Sequence, residues 1–164
     1  MKLVLTNKMF SIGGASKVTA ENGDEVYKVK GKMFSPTHKK KIYDMQGNLL
    51  YVVRNKWFNW LNHTAFIYNA DGERVGKMRK HKLSIDNSFV LEDFEDEYKI
   101  LGKIISWTFR VHKNNNEVAT IRRNLTFCTD KFTLETEDVE KAQLYVAMIV
   151  GIDNITDKRQ KDKD

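Results

Sequence analysis

One cysteine and one proline in 164 residues set the first limits on this chain. With Cys128 alone, neither an internal disulfide nor a cysteine-based zinc site can form. With Pro36 as the sole proline, turns have to be built from Asn, Asp and Gly. Histidine is as sparse: His38, His63, His81 and His112 stand singly, without the spacing that sets two ligands on one face. No apolar run reaches the roughly 20 residues of a membrane span. The opening "MKLVLTNK" offers only Leu3, Val4 and Leu5 before Thr6, too short for a signal-peptide core. We therefore expect a cytoplasmic protein in which the sequons at Asn62, Asn124 and Asn154 carry no meaning.

Catalytic signatures are missing too. "SIGGASK" at 11–17 lacks the spacing of a phosphate-binding loop and reads as a turn. "NADGER" at 69–74 lacks the run of oxygen ligands and the distant Glu of a calcium loop. Cys128, in "LTFCTDKF", reads as a small core residue of a strand. Glu92, Asp93, Glu95, Asp96 and Glu97 sit in one stretch, "LEDFEDEY", which reads as a solvated connector rather than an acid/base pair. The expectation is a non-enzyme that needs no metal and no cofactor.

What the chain does have is repetition. Four turn signals separate short apolar runs: "AENGDE" from Ala20, "DMQGNL" from Asp44, "NADGER" from Asn69 and "KNNNEV" from Lys113. Asn and Gly tolerate the positive φ of tight hairpins, so each marks a strand–turn–strand unit. Three units align without gaps: "IYDMQGNLLYVVR" from Ile42, "IYNADGERVGKMR" from Ile67 and "VHKNNNEVATIRR" from Val111. A longer echo pairs "YKVKGKMFS" at 27–35 with "YKILGKIIS" at 98–106. Two β-meander halves follow, 18–80 and 90–135, joined by the acidic stretch.

Near the end, "EKAQLYVAMIVGIDNI" is apolar on every side from Ala142 to Ile152 except for Gln143 and the small Gly151. Thr136 is the expected N-cap, and a helix is expected over 137–153. A helix without a polar stripe belongs inside a protein. Enclosing a cylinder about 10–12 Å across takes a barrel wider than the roughly eight strands that just fit their own side chains. The fold class is thus mainly β: a closed antiparallel barrel of about twelve strands around a buried C-terminal helix. Residues 1–155 make one domain, and 156–164 is a charged, frayed tail.

The hairpins "YDMQGNLLYVVRNKWFNW" and "IYNADGERVGKMRK", followed by a hydrophobic helix ending "IVGIDNI", resemble the LURP-one-related family. The resemblance extends from about "KMFSIG" to Asn154, and it implies a tubby-like barrel similar to that of phospholipid scramblases. It specifies no activity for the family as a whole. Tubby-like domains bind phosphoinositide headgroups through surface Lys and Arg, which makes such a headgroup an expected partner.

Charge points the same way. Lys and Arg number 28 against 22 acids, a net +6 that suits an anionic partner and serves solubility equally well. Arg54, Arg79 and Arg123 end the return strands of the three aligned units, with Lys56, Lys80, Lys82 and Arg122 beside them. Lys39, Lys40 and Lys41 precede the first. Repeat-equivalent positions fall on one end or face, so these residues are the expected anion-binding patch, Arg forks matching phosphate oxygens. Trp57 and Trp60 next to them are either membrane-contact aromatics or packing at a barrel corner. The expected function is a non-catalytic binding module, peripheral at a membrane, for anionic phospholipid headgroups. The alternatives are a protein-interaction or structural module, and less so nucleic-acid binding or lipid movement.

Overall fold

The computed structural model describes residues 1–8, 15–31, 35–57, 63–80, 88–103, 106–125 and 129–156. Among them the chain forms twelve strands and one helix. The strands are β1 (Lys2–Lys8), β2 (Ala15–Ala20), β3 (Glu25–Gly31), β4 (Lys40–Tyr43), β5 (Leu49–Asn55) and β6 (Thr64–Asn69). They continue as β7 (Arg74–Lys80), β8 (Phe89–Glu92), β9 (Tyr98–Lys103), β10 (Thr108–Lys113), β11 (Asn116–Leu125) and β12 (Thr129–Thr136). Each strand pairs antiparallel with its sequence neighbours, and β1 closes the barrel on β12. The central helix α1 (Ala142–Thr156) follows.

The meander is continuous rather than two joined halves. The acidic stretch supplies the end of β8, a solvated turn in which Asp93, Glu95 and Glu97 are exposed, and the start of β9, so it joins neighbouring strands of one meander. The internal echo is real in space, because β3 and β9 stand six strands apart in the ring.

Two of the repeated hairpins are built alike. In each, the Gly amide bonds back to the first turn residue, Gly47 to Asp44 O at 3.3 Å and Gly72 to Asn69 O at 3.2 Å. Gly47 and Gly72 adopt φ of +90° and +85°, which a Cβ would resist. The Asp44 and Asn69 side chains each accept the amide four residues on, at 2.8 Å. The third hairpin differs. Asn114 and Asn115 form a two-residue turn, both at positive φ (49° and 68°), as a type I′ turn requires.

That difference changes the register. Ile42 pairs with Tyr51 and Ile67 with Gly76, but Val111 pairs with Ala119, one residue sooner. Because side chains alternate with a period of two, everything after the third turn faces the opposite way from a gapless alignment. Val53 and Met78 point inward, leaving Arg54 and Arg79 outside, whereas Ala119, Ile121 and Arg123 point inward and Arg122 stands outside. The expectation that Arg54, Arg79 and Arg123 share a face is therefore corrected. Arg122 is the structural counterpart of the other two.

The helix fills the barrel. Every residue from Ala142 to Ile155 is buried except Gln143, and 15 residues span about 22 Å, the depth of the barrel rather than of a bilayer. It packs chiefly on β5 and β6. At Gly151 a Cβ would come within 2.8 Å of Met78 Sδ, so glycine permits the close approach to that wall. The helix starts later and ends later than expected. Asp138, not Thr136, caps its entry by accepting the Lys141 amide at 3.3 Å, while Thr136 Oγ1 accepts the Asp138 amide at 3.1 Å. The Tyr145 hydroxyl donates to the same Asp138 carboxylate at 2.9 Å. Burial, then this carboxylate, push the Tyr145 phenol far above its ordinary pKa.

Candidate functional site

Two polar regions stand out from the geometry, one inside and one outside. The inner one closes the far end of the barrel, opposite the tight hairpins, where α1 ends. Asp153 is 3% exposed and accepts from Lys40 Nζ at 2.6 Å, with Arg123 Nη2 3.7 Å away. Arg123 in turn holds Asp130 at 2.8 Å and Thr156 Oγ1 at 2.7 Å, and its guanidinium lies over Phe132 and Trp107. Asn55 donates to the carbonyl of Asn154, whose own amide donates to the carbonyl of His38. Two cations and two carboxylates balance, and both cations lie near the negative end of the helix dipole. This is an internal clamp, and it withdraws Lys40 and Arg123 from the expected surface patch.

The outer region begins with alternation in β3, "EVYKVKG". Val29 is buried, so Lys28 and Lys30 point out. Pairing sets Lys28 opposite Lys17 on β2 and opposite Tyr43 on β4. It also sets Lys30 opposite Ala15 and Lys41, and Lys41 opposite Val52. Two lysine pairs thus face each other directly across β2, β3 and β4. Directly opposed side chains lie about 5 Å apart, where like charges repel by up to about 1 kcal/mol in water. Glu25 meets Lys17, whose ammonium pulls the Glu25 carboxyl below its usual range with help from Lys28. Among the described residues no carboxylate pairs with Lys28, Lys30 or Lys41. Lys30 sits 5.3 Å over the Tyr43 ring instead. On β5, Arg54 extends the row, stacked 4.8 Å over Tyr68 and donating to its hydroxyl at 2.7 Å. Lys39 and Lys56 are exposed at the far end of the same face.

The rest of the barrel is largely neutralised. Arg79 and Lys77 share Glu92, at 2.8 and 2.6 Å, and hold its carboxyl below the normal range, Lys77 contributing most. Arg74 pairs with Asp93, Lys99 with Glu97, and Arg122 with Glu135. Lys113 bonds Asp96 at 3.0 Å and lowers its pKa.

Of the residues expected to form the patch, Lys39, Lys41, Arg54 and Lys56 come together on or beside one face. Arg79 is outward but paired, and Arg122 lies on β11, five strands from β4 around the ring. Lys80, opposite buried Phe89, takes the inward phase at the far end of β7. Lys17, Lys28 and Lys30 were missed, although the period-two lysines of "YKVKG" signalled the last two. Trp57 is 58% exposed, beside Lys56 at the end of β5, so it does not fill a corner. Trp60, Cys128, His81, Lys82, Asn62 and residues 157–164 lie outside the described residues, as does most of "SIGGASK". Among the described residues no cluster of His, Cys, Asp and Glu could hold a metal, and no helix is long and apolar enough to cross a membrane.

A closed up-and-down barrel threaded by its own C-terminal helix defines the fold class. Within that class the chain belongs to the LURP-one-related family, whose model matches residues 1–153. A solved structure of an Arabidopsis thaliana protein is similar, with a TM-score of 0.60 and 15% identity over 94% of this chain and 91% of that one. At that identity the likeness concerns the fold. No curated protein matches the sequence.

Proposed function

We propose that this barrel is a non-catalytic module that docks on anionic phospholipid headgroups through the outer face of β2–β5. The observation that carries the reading is the pair of directly opposed lysines, Lys17–Lys28 and Lys30–Lys41, with Glu25 as their one acidic partner among the described residues. A folded sheet gains nothing from such pairs by itself, since opposite charges there stabilise and like charges do not. A phosphate between two ammonium groups turns the repulsion into two attractive contacts, and Arg54 adds a planar donor fork at the row's edge. Adjacent strands lie about 4.8 Å apart, so the row presents cations at closely repeated spacing to a headgroup layer. Exposed Trp57 lies at the rim of this face, where an indole suits the interface between headgroups and acyl chains. The face suits a polyanionic headgroup such as a phosphoinositide better than a singly charged one, because several cations converge.

Flotation with neutral and anionic vesicles at low and physiological salt tests this. The wild type should float with anionic vesicles at both salts and ignore neutral ones. The K30E/K41E variant, altered at outward positions that leave the core intact, should lose vesicle binding while keeping its far-ultraviolet dichroism. Binding lost at about 0.15 M salt, where the Debye length is about 8 Å, would reduce the face to diffuse charge. Binding unchanged in K30E/K41E would sink the assignment of the face.

A further inference from the structure

Among the described residues the pairing of the barrel wall is sparsest between β8 and β9. There these strands pair through Phe89–Ile100 and Val90–Lys99, whereas every other neighbouring pair shares at least four such positions. Phe94, in the turn that follows β8, occupies the space over Gly76, where a Cβ would lie 2.1 Å from its ring, and stacks edge-on against Tyr98. An aromatic wedge thus sits at the base of the seam. Beside it, β8 and β9 border a groove of about 300 Å³, at the lower end of pockets that take small organic ligands. Its lining is mostly apolar, with core residues Phe89, Tyr98 and Ile100 and, on the outside, Val90 and Leu101, the latter 51% exposed, while Glu97 and Lys99 also border it.

A second groove of about 440 Å³ lies on the other side of β8, over β6 and β7. Phe66 and Thr64 border it. Four cations, Lys56, Arg74, Lys77 and Arg79, face two carboxylates, Glu92 and Asp93, so the lining carries a surplus of two positive charges. Val90, which borders the first groove, stands directly opposite Arg79 of the second across β7 and β8, and opposite Lys99 on β9. Apolar lining on one side and excess positive charge on the other make a trough with two ends of opposite chemistry.

We propose that this trough binds one single-chain anionic amphiphile, its hydrocarbon chain in the β8–β9 seam and its carboxylate or phosphate head over Lys56 and Arg79. Charge complementarity selects the occupant. Arg74 is held by Asp93, and Lys77 and Arg79 share Glu92, so a neutral alkyl chain leaves the surplus positive charge of the lining uncompensated, and a free phosphate leaves the apolar seam uncovered. The trough lies over β6 to β9 and shares only Lys56, at the edge of the lysine face, with the docking surface; Lys17, Lys28, Lys30 and Lys41 do not line it, so neither site requires the other.

Calorimetric titration of the whole protein with dodecanoic acid and with dodecyl phosphate, both below their micelle concentrations, tests the proposal. Dodecanol and inorganic phosphate serve as half-ligands, and the two acids distinguish a carboxylate from a phosphate head. Saturable binding of at least one acid at one site per chain is expected, with dodecanol weaker by about tenfold or more, the loss of one good charged contact. Leu101→Asp, at an exposed rim position that leaves the fold intact, should weaken it by about tenfold as well. K30E/K41E should bind the amphiphile as the wild type does, which separates this site from the lysine row. No saturable binding of either acid, equal binding of dodecanol, or binding unmoved by Leu101→Asp would each overturn the proposal.

Discussion

Asp153 shows how much one buried side chain can decide. It joins the end of α1 to β4 through Lys40, and its other oxygen lies 3.7 Å from Arg123, itself committed to Asp130 on β12. Removing one member of a buried ion cluster strands its partners without solvent, which costs far more than the cluster contributes relative to an apolar replacement. Lys40 is about a quarter exposed and can partly rehydrate, but Arg123 is 4% exposed and cannot. Asp153→Ala should therefore destabilise the protein by about 3 kcal/mol. Urea unfolding checks this through a lower midpoint at unchanged slope. A loss below about 1 kcal/mol would mean that water reaches the cluster and screens it.

At the scale of the element, the turn governs the site. The Asn114–Asn115 hairpin is one residue shorter in its pairing than the two Gly-containing ones, and this slip puts Arg123 inside and Arg122 outside. Asn tolerates the left-handed conformation that both turn positions need, and a β-branched residue does not. Asn115→Val should cost about 1–2 kcal/mol, whereas Asn115→Gly should be neutral or slightly stabilising, as thermal midpoints would show. Equal effects of the two substitutions would remove backbone strain as the explanation. The same turn explains what could be read from the chain and what could not. Hairpin positions were legible because Asn, Asp and Gly advertise positive φ, and the central helix because no face of it is polar. The inward or outward sense of a charged residue was not, since it depends on the exact pairing after each turn. "EVYKVKG" shows that Lys28 and Lys30 share a face, but only register shows that they meet Lys17 and Lys41.

For the whole molecule, closure around one helix makes the tyrosines a probe of global integrity. Tyr27, Tyr51, Tyr98 and Tyr145, four of the six, are each pushed above the ordinary value of 10.0, chiefly by burial. For Tyr51 the neighbouring Tyr27 adds to the effect, and for Tyr145 the Asp138 carboxylate does. A group whose pKa is raised on folding binds its proton more tightly in the native state than in the unfolded one. Its contribution is complete below the unfolded pKa and is lost as pH rises through the folded one. Stability should accordingly hold up to about pH 10 and then decline, the unfolded chain releasing protons that the barrel retains. Lys113, raised chiefly by its hydrogen bond to Asp96, acts with the same sign but on the solvated surface. The Tyr145→Phe variant isolates the interior contribution: it should lose stability at neutral pH with the Asp138 hydrogen bond, yet decline less steeply in alkali. Tyrosinate absorbance followed together with far-ultraviolet dichroism measures this directly, the four raised phenols ionising later than a free tyrosine and Tyr145 last, as the sheet signal collapses. If these four titrate near pH 10 with the dichroism intact, water enters the barrel freely at that pH, and the helix is not the sealed core that its burial describes.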